Sequence, residues 1–190
     1  SEGKDIRKTI MSLAAQLYPG KIEIIPVLDG ASANKPTYDA AYEMEKDVNS
    51  LPGRVLKCLP KWKRGGRVSS LNSGFALSTG DVVMGVDGGT SFDNGMVENA
   101  VRHFSNPGVM CVSGCLRVRN WRDSPAAALQ AVEYLVSILA SKTGLSEFNA
   151  VNNISGAFGI FRRDVLTLIG GWDAGTAEDL DLTLRVKNYF

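Results

Sequence analysis

Apolar residues recur along the chain in two alternating patterns, which predict helices and buried strands in turn. The first pattern has spacings of four, three and four residues, as on one face of a helix, at Ile6, Ile10, Leu13 and Leu17. A continuous apolar run over 22–28 follows, and it is typical of a strand buried in a parallel sheet. Pro26 argues against a central position for this run unless the strand leaves the sheet there.

The alternation continues beyond this strand, which favours an α/β fold with a largely parallel sheet flanked by helices. The predicted elements are a helix over 37–48, strands over 54–59 and 81–86, a helix over 69–77, a helix capped by Asp93, a strand over 109–118 and a helix beginning at Ser124-Pro125. We predict that this last helix buries a stripe formed by Leu129, Val132, Val136 and Leu139. We treat residues 1–190 as one domain.

The C-terminal segment over 178–187 supports two interpretations. Apolar and polar residues alternate there, which is the pattern of a strand. Its acidic start at Glu178-Asp179 and its basic end at Lys187 instead complement a helix dipole, and we therefore predict a helix.

Composition places the chain among soluble globular proteins. Hydrophobic residues make up 44% and charged residues 22% of the 190 residues, and the formal net charge is +1. This balance gives no overall attraction to nucleic acid, so we expect no nucleic-acid partner. The sequence has no apolar stretch of the roughly 18 residues that a membrane span needs.

The three cysteines predict neither a disulfide framework nor a zinc site. Cys58, Cys111 and Cys115 are an odd number without zinc-ligand spacing. We therefore favour a reducing compartment, with Cys111 and Cys115 as buried thiols on a strand.

Acidic turns follow two of the predicted strands, at the sheet edge where α/β proteins bind ligands. Asp29 follows the first strand, and Asp87 is followed by two glycines after the strand over 81–86. Asp87 could hold a divalent cation on a diphosphate, because hard cations prefer oxygen ligands. Asp-Gly is also a common turn, and each turn alone is a weak signal.

Two further charged segments have a functional and a structural interpretation. The basic loop over 61–67 could neutralise phosphate or could be a solvated charge run. Trp62 within it is compatible with base stacking, but no aromatic platform accompanies it. The cluster Glu178-Asp179-Asp181 could supply a general base or could simply open a helix.

Three segments together resemble inverting family 2 glycosyltransferases with the GT-A fold, in the membrane-linked polysaccharide synthase branch. They are IEIIPVLDGAS, GGRVSSLNSGFALSTGDVVMGVDGGTSFD and ISGAFGIFRRDVLTLIGGWDAGTAEDLDLTLRV, in that order along the chain. The resemblance covers nearly the whole chain. It implies a GT-A-like nucleotide-binding fold and transfer of a sugar from a nucleotide-sugar, preferably a uridine diphosphate sugar, to a saccharide acceptor with inversion.

The resemblance also implies a role for particular residues. Asp179, preceded by Glu178, would be the catalytic base, and Gly156 and Phe158 would border the acceptor. The donor would be bound by Glu2, Asp29, Arg67 and Asp87. Asp87 would also bind a divalent metal, Mg²⁺ or Mn²⁺.

The chain departs from the family pattern at three places. Gly89 stands where the family has a second Asp, which leaves a metal fewer protein ligands and predicts weak or absent metal binding. The family's first strand, expected before Glu2, and its Gln-x-x-Arg-Trp motif, expected after Asp179, are not in this sequence. These two departures imply a fragment of a longer membrane-anchored enzyme with its catalytic domain on the cytoplasmic side. We expect self-association through the sheet edge that a missing strand would expose.

Two other functions remain open from the sequence. A glycosyltransferase-like domain that binds a nucleotide-sugar without turnover is favoured by Gly89 and by the missing C-terminal motif. A nucleotidyltransferase on a similar sheet is disfavoured, because no glycine-rich phosphate loop lies near the start of the chain. The sugar and the acceptor are not identified by these motifs.

Overall fold

The computed structural model describes residues 3–173 and 177–190. Its α-helices are α1 (Ile6–Ala14), α2 (Lys35–Tyr42), α3 (Glu45–Asn49), α4 (Gly66–Leu77), α5 (Met96–Val101), α6 (Pro125–Tyr134), α7 (Ser141–Glu147), α8 (Arg163–Leu168) and α9 (Glu178–Tyr189). Its strands are β1 (Ile22–Ile24), β2 (Val27–Asp29), β3 (Arg54–Leu56), β4 (Leu59–Lys61), β5 (Val82–Val86), β6 (Cys111–Ser113) and β7 (Phe158–Arg162). Short 3₁₀ turns span Gly3–Asp5 and Arg102–Ser105, and a π-helical segment, Leu135–Ala140, joins α6 to α7.

Parallel pairing in the first third of the chain confirms the α/β prediction. β1 pairs with β3 and β2 pairs with β4, both in parallel. Both predicted strands, over 22–28 and 54–59, are interrupted where they lie beside Pro26. Proline has no N–H to donate to a neighbouring strand. Two backbone bonds cross the interruption: Lys57 N–H donates to the Ile24 carbonyl and Leu59 N–H to the Pro26 carbonyl, at 3.0 and 2.9 Å.

The rest of the chain forms an antiparallel sheet that the apolar pattern did not predict. Its strand order is β5-β7-β6, and β7 pairs antiparallel with both neighbours. The predicted strand over 109–118 is reduced to β6. The parallel pairing expected from the sequence therefore holds for β1–β4 only. The antiparallel pairing places Phe158, the first residue of β7, opposite Val86, the last residue of β5.

The helix beginning at Pro125 forms as predicted, but its predicted buried stripe is wrong. The Ser124 hydroxyl caps the helix by accepting from the Ala127 N–H at 3.1 Å. The exposed fractions of the predicted stripe are 72% for Leu129, 57% for Val132, 60% for Val136 and 39% for Leu139. The partly buried residues of the helix instead lie on another of its sides and include Ala127, Ala131, Tyr134 and Ile138. Because both sides are apolar, periodicity could not decide between them.

The predicted C-terminal helix is confirmed as α9, whose first turn carries three acidic residues. No helix in the described part of the chain is long and apolar enough to cross a bilayer.

The cysteines lie only partly as predicted. All three are free, and Cys111 lies on β6, where burial raises the pKa of its thiol to about 11. Cys115 is exposed and lies beyond the strand, so its predicted burial is wrong. Burial and the neighbouring Glu45 raise the pKa of the Cys58 thiol to about 12. Neither Cys58 nor Cys111 is a thiolate near neutral pH.

A second core cluster includes residues that line the candidate site, and a substitution of Leu166 tests how much this cluster contributes to stability. Leu166 is 0% exposed and packs in one cluster with Phe161, Trp172 and Leu182. We expect Leu166→Ala to lower the free energy of unfolding by about 2–5 kcal/mol, because it leaves a cavity. Leu168 lies on the same helix and is 51% exposed, so Leu168→Ala should cost about 0.5 kcal/mol or less. Urea unfolding measures both, and equal effects would contradict the packing described.

Candidate active site

Asp29, predicted from its position after a strand, anchors the start of α4. Its carboxylate accepts from the backbone N–H groups of Gly65 and Gly66, at 2.9 and 3.0 Å. Lys61, its register partner on β4, lies 3.0 Å away. Burial raises the pKa of Asp29, but these N–H groups and Lys61 outweigh it and hold the pKa below its usual value. Asp29 therefore stays ionised and fixes the loop that leads to Arg67.

Arg67, on the first turn of α4, joins the two sides of the candidate site. Its guanidinium contacts the Asp87 carboxylate and donates to the Gly156 carbonyl, and its Nε lies 2.6 Å from Glu178 Oε1. Burial lowers the pKa of Arg67, but Asp87 and Glu178 raise it more, so its net pKa lies above the usual value. The structure thus brings together four residues that the sequence analysis selected separately.

Asp179, the predicted base, lies on the first turn of α9 and faces Gly156. Its Oδ2 accepts from the Gly156 N–H at 3.2 Å, and its Oδ1 accepts from the Leu180 N–H at 2.9 Å. A Cβ at position 156 would lie 3.3 Å from Asp179 Oδ2 and from Glu178 Oε1. Glycine at this position therefore allows the backbone to approach both carboxylates closely.

Thr183 holds α9 against the segment that carries Gly156. Its hydroxyl donates to the Asp179 carbonyl at 2.6 Å and accepts from the Ile154 N–H at 2.9 Å. Thr183 is 2% exposed, so this link is shielded from water. It fixes the distance between the base and the glycine beside it.

A small pocket opens beside Asp179, and Trp172 forms part of its wall. The other lining residues include Gly85, Ser155, Gly156 and Phe161. The Trp172 backbone is held by Asn72, which donates to its carbonyl at 2.8 Å and accepts from its N–H at 3.0 Å. Sequence analysis missed Trp172, because its proximity to Asp179 depends on the antiparallel sheet.

Phe158 lies in the core and not in this pocket. It is 6% exposed, and its ring packs against Phe92 with the centroids 5.4 Å apart. Of the two predicted acceptor residues, Gly156 lines the pocket and Phe158 does not. Glu2, predicted to bind the donor, lies outside the described residues.

Lys142, on α7, is a second residue that sequence analysis missed. Its Nζ lies 3.3 Å from the Ser113 hydroxyl, which also accepts from the Ser155 N–H at 3.2 Å. Burial lowers the pKa of Lys142, and attraction to Asp179 partly opposes this. A positive charge from a distant helix therefore lies near the predicted base.

The donor set at the predicted metal position is small. Asp87 is paired with Arg67, and Gly89 has no side chain. Within residues 3–173 and 177–190, no three His, Cys, Asp or Glu residues are grouped as a metal site. One carboxylate fits a cation that reaches the site with a diphosphate, because Mg²⁺ is often bound by one or two carboxylates plus substrate phosphates.

Comparison with known families shows which family this chain belongs to. The model of the family described as "Glycosyl transferase family 2" matches residues 1–169. The chain belongs to glycosyltransferase family 2. This match confirms the resemblance to family 2 glycosyltransferases, and it includes Arg67 and Asp87 but ends before Asp179.

Two curated relatives of this family 2 chain are polysaccharide synthases by name. Poly-beta-1,6-N-acetyl-D-glucosamine synthase of Staphylococcus epidermidis is 30% identical over 188 residues, which are 98% of this chain and 43% of that protein. The synthase of the same name from Staphylococcus aureus strain COL is 28% identical over 193 residues, or 44% of that protein. The chain therefore spans less than half the length of these relatives.

Solved structures show that this family 2 chain has the GT-A fold. The mannosyltransferase PcManGT of Pyrobaculum calidifontis, solved with GDP-Man and Mn²⁺, matches 98% of this chain and 49% of its own, with a TM-score of 0.67 and 20% identity. S. aureus TarS 1-349 matches 98% of this chain and 52% of its own, with a TM-score of 0.64 and 15% identity. Sequence identity this low supports the fold alone.

Proposed function

We propose that this family 2 domain transfers a sugar from a nucleotide-sugar donor to a hydroxyl of a saccharide acceptor, with inversion. The observation that carries the proposal is the convergence of Asp87 and Glu178 on the Arg67 guanidinium, with Asp179 beside Gly156. A cation and a separate carboxylate are the two groups that such a reaction needs, one for the leaving diphosphate and one for the acceptor proton.

The reaction is a single displacement. The acceptor oxygen bonds to the anomeric carbon, while the bond from that carbon to the diphosphate oxygen breaks and its electron pair leaves with the diphosphate. The acceptor proton passes to the Asp179 carboxylate, acting as general base. Attack from the face opposite the leaving group inverts the anomeric centre.

Arg67 supplies the positive charge that this site holds permanently. Its planar guanidinium can bind a diphosphate through two parallel hydrogen bonds once the donor replaces Asp87 or the Gly156 carbonyl as its partner. A bound Mg²⁺ or Mn²⁺, held by Asp87, would supply further charge neutralisation for the leaving diphosphate. Asp29 keeps α4 in place, which sets the position of Arg67.

The donor proposal is tested by calorimetric titration of this chain with uridine diphosphate, with guanosine diphosphate as the comparison. Uridine is preferred because the polysaccharide synthase branch that the sequence resembles uses it. Each titration is run with and without Mn²⁺. Binding of uridine diphosphate in either condition supports a donor site, whereas no binding of either nucleotide would contradict it.

Position 89 determines how strongly this binding depends on metal. A Cβ at position 89 would meet no atom within 4 Å, so the backbone there has space for a side chain. We expect Gly89→Asp to strengthen uridine diphosphate binding about tenfold in Mn²⁺ and to change it little without metal, since the second carboxylate completes the ligand set. Gly89→Asn is the matched uncharged control. Equal gains in both variants, or a gain without metal, would contradict the metal assignment.

Gly89 also favours a second candidate, a domain that binds a nucleotide-sugar without turnover. The missing second carboxylate is the feature that such a domain would have lost. Nucleotide binding by this chain with no sugar transfer in the longer protein that carries it would favour this candidate. Transfer that depends on Asp179 would exclude it.

A further inference from the structure

The helical stretch over 125–147 is apolar on both of its sides. Its inner side carries small and medium residues that are partly buried, such as Ala131 and Ile138. Its outer side exposes five large aliphatic residues, which we call the outer stripe: Leu129, Val132, Leu135, Val136 and Leu139. An exposed contiguous stripe of large aliphatic residues marks an interaction surface, so the outer stripe requires an occupant.

Few charges interrupt this surface. Between 125 and 140 the only charged residue is Glu133, and the outer stripe spans α6 and the π-helical segment without a break. Phe148, at the far end of α7, is 83% exposed. The outer stripe therefore presents an apolar face over residues 129–139, or roughly 16 Å at the rise of a helix.

A basic, aromatic loop leads directly into this helix. Arg117, Arg119, Trp121 and Arg122 are all exposed. The Arg122 guanidinium lies 4.6 Å from the centroid of the Trp121 ring. Among residues 3–173 and 177–190, neither Arg117 nor Arg122 forms a salt bridge. Their charges are thus free to meet a negatively charged partner.

These features together match a lipid surface. Aliphatic side chains on one helix face enter the boundary between headgroups and acyl chains, tryptophan prefers the headgroup level, and arginine is attracted to anionic lipids. We propose that the outer stripe, together with Arg117, Trp121 and Arg122, seats this domain on an anionic membrane surface.

Docking in this way would hold the candidate active site near the bilayer. The same helical stretch ends in α7, whose Lys142 bonds to Ser113, and Ser113 in turn accepts from the N–H next to Gly156. The helical stretch that carries the outer stripe therefore also contacts, through Lys142 and Ser113, the segment that lines the site. The docking proposal does not depend on turnover, so it stands or falls separately from the proposed function.

Sedimentation with vesicles tests the proposal on this chain. We expect the chain to pellet with phosphatidylcholine vesicles that contain phosphatidylglycerol, and at least tenfold less well with phosphatidylcholine alone. Leu129→Gln/Val136→Gln should weaken binding to the anionic vesicles about tenfold or more, because it removes inserted aliphatic surface. Arg117→Gln/Arg122→Gln should remove the preference for anionic vesicles.

Leu17→Gln/Leu168→Gln is the matched control, since these leucines are 68% and 51% exposed but lie outside the outer stripe. It should bind vesicles like the parent chain, and circular dichroism shows that each variant is folded. No binding to either vesicle, or equal binding by the outer-stripe variant, would overturn the proposal. A dimer in sedimentation velocity that the outer-stripe variant dissociates, without vesicle binding, would overturn it in favour of a second copy of the chain.

Discussion

Asp179→Asn should reduce sugar transfer by about 10²–10⁴-fold while leaving nucleotide binding within about twofold. Asparagine keeps an oxygen that can accept from the Gly156 N–H, now 3.2 Å from Oδ2, but it cannot take up the acceptor proton. The loss should therefore fall on kcat, measured as nucleoside diphosphate release at saturating donor and acceptor in the longer protein that carries this domain.

Asp181→Asn is the matched control for this experiment. Asp181 lies two residues further along α9, where its carboxylate pairs with Arg185 at 2.7 Å and faces away from the Gly156 contact. This variant should retain most of the rate. If both variants lose the rate equally, the effect belongs to the α9 helix as a whole. If Asp179→Asn retains the rate, the base is another residue.

The parts of this molecule that the sequence predicted are those fixed over short distances along the chain. The end of β2 at Asp29 and the turn after β5 at Asp87 follow from apolar runs and the Asp-Gly steps that stop them. The strand pattern in 178–187 was ambiguous, and the acidic first turn decided it correctly in favour of α9. These local signals identified Asp87, Glu178 and Asp179, whose carboxylates lie around Arg67 and Gly156.

The parts it missed depend on partners far apart in the chain. β7 pairs antiparallel with β5, and nothing local to 158–162 distinguishes this partner from a parallel one. Trp172 and Lys142 reach the site only because of this sheet and of α7. Four residues of the outer stripe, all except Leu135, were predicted to be buried because hydrophobic periodicity identifies an apolar face without saying what covers it.

Neutralising Arg67 should weaken the binding of nucleoside diphosphate more than it weakens the fold. In Arg67→Gln the carboxylates of Asp87 and Glu178 lose their shared cation, and the diphosphate loses the charge that would receive it. We expect about 10–100-fold weaker binding of uridine diphosphate, the range given by one to two hydrogen bonds to a charged group. The Arg67 side chain is 37% exposed, so solvent screening should keep the change in the free energy of unfolding to about 1 kcal/mol or less.

Arg64→Gln is the control, because Arg64 lies in the same basic loop, is exposed and makes no contact with Asp87 or Glu178. It should bind uridine diphosphate nearly as the parent chain does.

Arg67→Lys separates charge from shape: a lysine keeps the charge but cannot contact Asp87, Glu178 and the Gly156 carbonyl at once. Recovery of half or less of the lost binding free energy by lysine is expected, since the planar guanidinium supplies the rest. Full recovery by lysine would mean that charge alone matters here. Equal losses in Arg64→Gln and Arg67→Gln would show that the whole loop attracts the nucleotide, and that the bridge between Asp87 and Glu178 has no special part in binding it.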